Sequence, residues 1–308
     1  MTYSTGGLIQ AADYNAIINS NTPNFNGIWA AGSGTTGYGQ TALGTVAVTA
    51  KVNATNWNTL LTNMASSATH QGSTITALTP PVAGNRINYL AAIATNMATL
   101  NTNRLNCATV GTDVTNSGTR TAAWGSGQSI PTVTSTATIT FPSANQARYF
   151  FNAGGQILIS AALTGAGATP ENTAWVNLCT DLGTIGLPAV STAQSLAGSS
   201  YTGLTKFGGG GTAPATYIRN GFYDLTTTPT VLYKQFSNFS VYTNDYLQIS
   251  YSTNGTTVTV SVAFTDSASF FANTITGSLT VTAVARQPET TNLSASWGTP
   301  IVSVSAPA

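Results

Sequence analysis

The apolar positions of the chain follow two regimes. Up to about residue 106 they recur at spacings of three and four, the period of an α-helix; beyond it they alternate with polar ones, the period of a strand. Three helices are predicted in the first part. One spans 11–20, with Tyr14, Ile17 and Ile18 on one face. A second spans 54–68, with the stripe Trp57, Leu60, Leu61 and Met64 and with Asn53 or Thr55 as N-cap. A third spans 85–105, with Leu90, Ile93, Met97 and Leu100 on one side. In the second part Val133, Ser135, Ala137, Ile139 and Phe141 alternate with Thr134, Thr136, Thr138 and Thr140. Residues 147–151 and 156–161 read as a hairpin across Asn152-Ala153-Gly154-Gly155. Further strands are predicted at 217–225, 231–239, 246–252, 256–265 and 278–286, with Asn254-Gly255 as a hairpin turn. One helix, 171–185, interrupts them: Thr169-Pro170 opens it and Trp175, Leu178 and Leu182 share a face.

The expected fold class is therefore α+β. A small N-terminal helical domain (1–110) is followed by a Gly/Ser/Thr linker (111–130), an antiparallel β-sandwich-like domain with one helix (131–287), and an extended C-terminal tail (288–308).

The first two helices carry the same pattern, aliphatic-x-Ala-x-(Asp/Asn)-aromatic-Asn-x-aliphatic-aliphatic. Residues 9–18 align with 52–61 at an offset of 43, and this internal duplication brings Tyr14 and Trp57 to equivalent positions. Two copies are too few for a solenoid, but they predict two helices that offer their aromatics to a common core. A flexible glycine-rich loop, 32–40, is expected between them.

Composition narrows the chemistry. Only 6% of the 308 residues are charged, against roughly a quarter in an ordinary soluble protein. Thr, Ser, Asn, Gly and Ala take their place, and the net charge is +1. No basic stripe offers phosphates a footing, so nucleic-acid binding is not expected. No apolar run approaches a membrane span, and the first residues lack the basic and apolar regions of a signal peptide. Cys107 and Cys179 have no C-x-x-C spacing and read as reduced, inert thiols.

Individual motifs add little catalytic promise. Gly32-x-Gly34-x-x-Gly37 matches a dinucleotide fingerprint in letters only, since 25–30 is a weak strand and no acidic residue follows at the required spacing. Gly208–Gly211 follows Lys206 without the order of a phosphate loop. The single histidine, His70, follows the second helix, where it would complement the helix dipole. The eight carboxylates are scattered, and only Asp224 and Asp245 are candidates to meet as a glycosidase pair. No catalytic, cofactor or metal residue is predicted.

Tyr3-Ser4-Thr5-Gly6-Gly7-Leu8-Ile9, then Asp13-Tyr14-Asn15, Gly37-Tyr38-Gly39-Gln40 and Phe150-Phe151-Asn152-Ala153-Gly154-Gly155-Gln156-Ile157, together resemble virion structural proteins of tailed bacteriophages, in particular the tail, baseplate or fibre-like chains common in cyanophages. The resemblance implies a structural, non-enzymatic protein of the phage particle, made in the host cytoplasm. Its implied partners are copies of itself, with a trimer favoured over a hexamer, other tail or baseplate proteins, and host surface glycans. Tyr14, Trp29, Tyr38, Trp57, Leu90, Ile93, Met97 and Leu100 are the candidate interface residues, the last four as a short three-fold helical seam. The alternatives are a carbohydrate-binding receptor-recognition tip, a neck, collar or capsid-decoration protein, and a glycan-cleaving enzyme. On all but the last, the low charge is expected to be a property of interfaces.

Overall fold

A computed structural model describes residues 10–82, 88–210, 215–267 and 273–308. The Tyr3–Ile9 motif, residues 85–87 of the third predicted helix, and Gly211 lie outside them.

The α+β architecture is as expected: a small helical region precedes a β-rich part built from antiparallel sheets. Helix α1 (Ala11–Asn15) continues as a π-helical turn to Ser20. Helix α3 (Ala54–Gln71) starts at Asn53 with a reciprocal cap: Asn53 Oδ1 accepts the Asn56 N–H, and Asn56 Oδ1 accepts the Asn53 N–H, both at 3.0 Å. Asp13, the equivalent of Asn56, accepts the Gln10 N–H at 3.0 Å, so the repeated Asp/Asn position is a capping position. The repeated aromatics, Tyr14 and Trp57, meet edge to face at 5.4 Å. The third helix is shorter than predicted, α4 (Leu90–Thr102). The weak strand expected at 25–30 is instead a helical turn, α2 (Phe25–Trp29), because Asn24 caps it by accepting the Gly27 N–H at 2.7 Å.

Between these helices, residues 40–47 and 73–82 belong to no helix or strand, and side-chain amides bond their backbone instead. Asn15 donates to the Val46 carbonyl and accepts the Val46 N–H at 2.8 and 2.9 Å. Asn26 holds Leu43 in the same way, at 2.9 and 2.8 Å, and Asn96 holds Thr76, both at 2.9 Å. Each amide matches one residue's donor and acceptor together, which satisfies backbone that would otherwise lie unpaired. Asn96 is buried. Asn96→Ala should therefore strand both Thr76 groups and lower unfolding stability by about 2 kcal/mol, read from the denaturant midpoint. Asn96→Asp, which keeps the acceptor and loses the donor, should cost a comparable amount.

The β part is two antiparallel sheets on one core. One has the order β1 (Val110–Arg120), β12 (Ser278–Pro288), β3 (Gln156–Thr164), β4 (Thr184–Leu187), β7 (Thr205–Phe207). The other runs β13 (Ile301–Val304), β2 (Thr132–Thr140), β11 (Thr257–Thr265), β10 (Tyr246–Thr253), β9 (Thr230–Phe236), β8 (Ala215–Tyr217). A small hairpin joins β5 (Ala193–Leu196) to β6 (Ser199–Thr202). Helix α6 (Pro170–Leu182) sends Trp175 into the core, 4.7 Å from Trp124 and 6.2 Å from Phe264. Thr169 caps it as expected, accepting the Asn172 N–H at 3.2 Å.

Four sequence expectations are corrected. Residues 147–151 belong to α5 (Ala144–Asn152), capped by Ser143, so β3 pairs with β12 and β4 rather than with a hairpin partner. The expected linker 111–130 holds β1, an edge strand along β12. The strand expected over 217–225 is β8 followed by a 3-10 turn at Phe222–Asp224. The expected tail holds buried Trp297 and strand β13, which pairs with β2.

The helical region and the sheets share one continuous hydrophobic core. The glycine-rich loop, expected to be flexible, is a clamped tongue between them. Asn152 Nδ2 donates to the carbonyls of Gly34, Thr36 and Gly37 within 3.1 Å. Arg148 and the Tyr223 hydroxyl add bonds to the same loop. Gly37 has φ +91°, and a Cβ there would lie 2.3 Å from the Ala31 carbonyl oxygen, so the tongue requires glycine at this point.

Candidate functional site

The eight predicted interface residues do not form a surface. Tyr14, Trp29, Tyr38, Trp57, Leu90, Ile93, Met97 and Leu100 are each at most 8% exposed and belong to the molecule's own core. The reason is local. Tyr14 and Trp57 spend their faces on each other, Trp29 stacks on Phe25 at 5.8 Å, and Tyr38 donates to the Arg104 carbonyl at 2.7 Å. The apolar stripe of α4 faces α3 and α2, so it makes an intramolecular seam rather than a three-fold one.

His70 lies in the last turn of α3, at the helix C-terminus as expected, but it points inward. It is fully buried, its Nδ1 2.9 Å from Glu289 Oε1 and its Nε2 3.1 Å from the Ala153 carbonyl oxygen. A carbonyl can only accept, so Nε2 carries a hydrogen. Glu289 also accepts the Thr291 and Asn292 backbone N–H groups and the Asn292 side chain. Burial alone would raise its carboxyl, but the bonds from His70, Asn292 and Thr291 outweigh it and hold the group down at about 2. The Nδ1 contact is therefore a buried hydrogen bond to a carboxylate. It joins the end of α3 to the ends of α5 and β12. Cys107 lies close by, donating to the Thr109 carbonyl at 3.0 Å, with burial pushing its thiol up to about 11. A buried thiol held in that form is a poor nucleophile. Both cysteines are free and buried.

The carboxylates sort differently from the Asp224/Asp245 pairing considered above. Exposed Asp224 accepts the Gly221 N–H at 2.8 Å. Buried Asp245 lies instead with Asp266 and Glu171. Asp245 Oδ1 accepts the Ser267 N–H at 2.9 Å, Asp266 Oδ2 the Ser126 N–H at 2.7 Å, and Glu171 Oε2 the Thr274 N–H at 3.2 Å. Burial, then the neighbouring carboxylates, push both Asp245 and Glu171 up to about 7. Nothing in the sequence marks this trio, whose members come from three separate elements.

Cavities of about 420, 300 and 360 Å³ open in the helical region. The largest is lined by Leu61, Met64, Ala68, Ile75, Leu78 and Asn96, among others, and no lining includes a carboxylate, His or Cys. Among the described residues no group of three or more His, Cys, Asp or Glu is placed to hold a metal ion. No helix among them is long and apolar enough to cross a membrane.

What the fold does display is two sheet faces of hydroxyl groups. Since the even-numbered side of β2 opposes its buried side, Thr132, Thr134, Thr136, Thr138 and Thr140 all point outward. On β11, Thr257, Thr259, Ser261, Ala263 and Thr265 stand directly opposite them. Outward residues along a strand recur about 6.7 Å apart and strands about 4.8 Å apart, so the hydroxyls form a regular grid. The outer face of the other sheet repeats the device: Ser117 bonds Thr282 at 2.8 Å and Thr119 bonds Thr280 at 2.9 Å. The charged groups on the strands of the two sheets are few: Lys206, Lys234, Arg120 and the Arg286–Asp113 pair at 3.3 Å. The edge strands β13 and β8 carry exposed Ile301, Tyr217 and neighbouring Ile218. Of the aromatics between Tyr217 and Tyr251, Phe222, Tyr233 and Tyr251 are buried, Tyr223, Phe236, Phe239, Tyr242 and Tyr246 are half-buried, and Tyr217 is exposed.

No protein-family model matches the chain, and neither a curated protein nor a solved structure shows significant similarity to it.

Proposed function

We propose that this chain is a structural, non-enzymatic protein that assembles with copies of itself, as a tail or baseplate fibre-type component of a tailed-phage particle. The observation that carries the reading is the pair of uncharged hydroxyl grids on the outer sheet faces. Short Thr and Ser side chains lose little rotamer entropy when fixed, and they can bond to one another or to a facing backbone. Contacts of this kind are insensitive to ionic strength, unlike surface ion pairs. Burial of the helical stripes moves the assembly surface from the N-terminal helices to the sheets and their edges. The phage placement itself rests on the sequence resemblance. The alternative of a sugar-binding tip has Tyr217 to draw on, its ring capped by the Arg219 guanidinium at 4.8 Å.

Size-exclusion chromatography with light scattering tests the reading. The expected mass is that of three chains, unchanged between low and high salt. A monomer at high concentration would overturn self-assembly, and a glycan-array hit abolished by Tyr217→Ala would favour the sugar-binding tip.

A further inference from the structure

The trio Glu171, Asp245 and Asp266 gathers strand ends, a helix start and a turn at one end of the sandwich. Glu171 sits in the first turn of α6, Asp245 just before β10, and Asp266 just after β11. Through the N–H groups of Thr274, Ser267 and Ser126 they tie down the turn after Trp124 and the bridge that pairs Trp124 with Ile275. Two features make this an unusual way to fasten a fold. The three carboxyl groups are gathered so closely that neighbouring Asp266 opposes ionisation of both Glu171 and Asp245. Glu171 Oε1 and Asp245 Oδ2 are buried without any partner, in residues only 7% and 1% exposed. A carboxylate with a buried, unpartnered oxygen is stable only while it holds a proton. After burial, Asp266 raises Glu171, Asp266 and Glu171 raise Asp245, and all three carboxyls push up the Tyr242 hydroxyl beside them.

We propose that Glu171 and Asp245 form a pH-responsive staple, which fastens its end of the sandwich while both hold their protons and loosens it when they ionise. The direction follows from linkage. The folded state holds protons that the unfolded chain has already released, so the staple is at full strength below the ordinary carboxylate range and is lost as pH rises through about 7. Loosening would free the 124–126 turn and the first turn of α6. Such a device suits a chain that must hold one arrangement in one medium and relax in another, and it operates whatever the chain's partners are.

The test is amide hydrogen exchange on the full chain, from about two units below neutrality to about two above it. Protection at Ser126, Ser267 and Thr274 should fall roughly tenfold or more relative to amides in β2 and β11, corrected for the intrinsic pH dependence of exchange. Asp245→Asn, neutral at every pH, should abolish that differential loss. Glu171→Gln should reduce it and serves if the first variant folds poorly. Trp124 and Trp175, packed together beside the trio, give a second readout in fluorescence. Equal protection across the range in the native chain, or an unaltered loss in both variants, would overturn the proposal.

Discussion

Glu289→Ala should lower the stability of this protein by about 3–5 kcal/mol, the cost of removing one partner of a buried pair. In a chain of this size that displaces the melting temperature by on the order of 10 °C. The size of the effect follows from how completely the carboxylate is used. It receives His70 on one oxygen, Thr291 and Asn292 N–H groups on the other, and the Asn292 amide besides. Its removal strands a fully buried imidazole and two backbone donors in the loop leading to Trp297. His70→Ala should cost a similar amount, because it leaves the carboxylate buried and the Ala153 carbonyl unpaired. The double variant should cost much less than the sum, and that shortfall is the measurement that separates a coupled pair from two independent packing defects. The pH dependence has a definite sign. A carboxyl held at about 2 when folded and near 4.5 when unfolded adds stability that is complete above 4.5 and drains away as pH falls toward 2. The acid limb should flatten in Glu289→Ala over that window. Additive single effects, or an unchanged acid limb, would show that the pair does not hold the helices to the sheets.

Much of the architecture can be read from residue patterns, and the exceptions share a cause. The helices at 54–71 and 170–182 and the strands at 132–140, 246–253, 257–265 and 278–288 bury one face each, so their periods are clean. Strand β1 is exposed on both sides over much of its length, so Thr, Ser, Asn and Gly follow one another without alternation and mimic a linker. Helix α5 ends in Phe150-Phe151-Asn152, which suits a strand entering a turn, and only its Ser143 cap and its packing decide otherwise. The sites were harder to see than the elements. His70 and Glu289 are 219 residues apart, and Asp245 meets Glu171 and Asp266 only through the sheet topology. Scarcity of charge was legible from composition, but its use was not. Inside the helical region it reflects amides doing the work of a sheet, as at Asn15, Asn26 and Asn96. On the outer faces of the β part it leaves the hydroxyl grids.

Trp57→Ala should destabilise the folded chain by about 3–5 kcal/mol and leave the mass of the folded assembly unchanged. The indole is 2% exposed, meets Tyr14 edge to face, and lies among Leu60, Leu61 and Met64 of its own helix in the shared core. Truncation removes most of a large buried surface and opens a void that close-packed neighbours refill only in part, so the loss should lie within that range. Trp57→Phe, which retains a ring for Tyr14 to meet, should recover a large part of it. The two readouts discriminate between core and interface. An interface residue would leave the isolated chain's unfolding transition nearly intact and weaken association; a core residue does the reverse. If the mass fell to one chain while the unfolding midpoint held, Trp57 would have to be restored to the interface first expected of it, and the assembly surface would return from the hydroxyl faces of the sheets to the N-terminal helices.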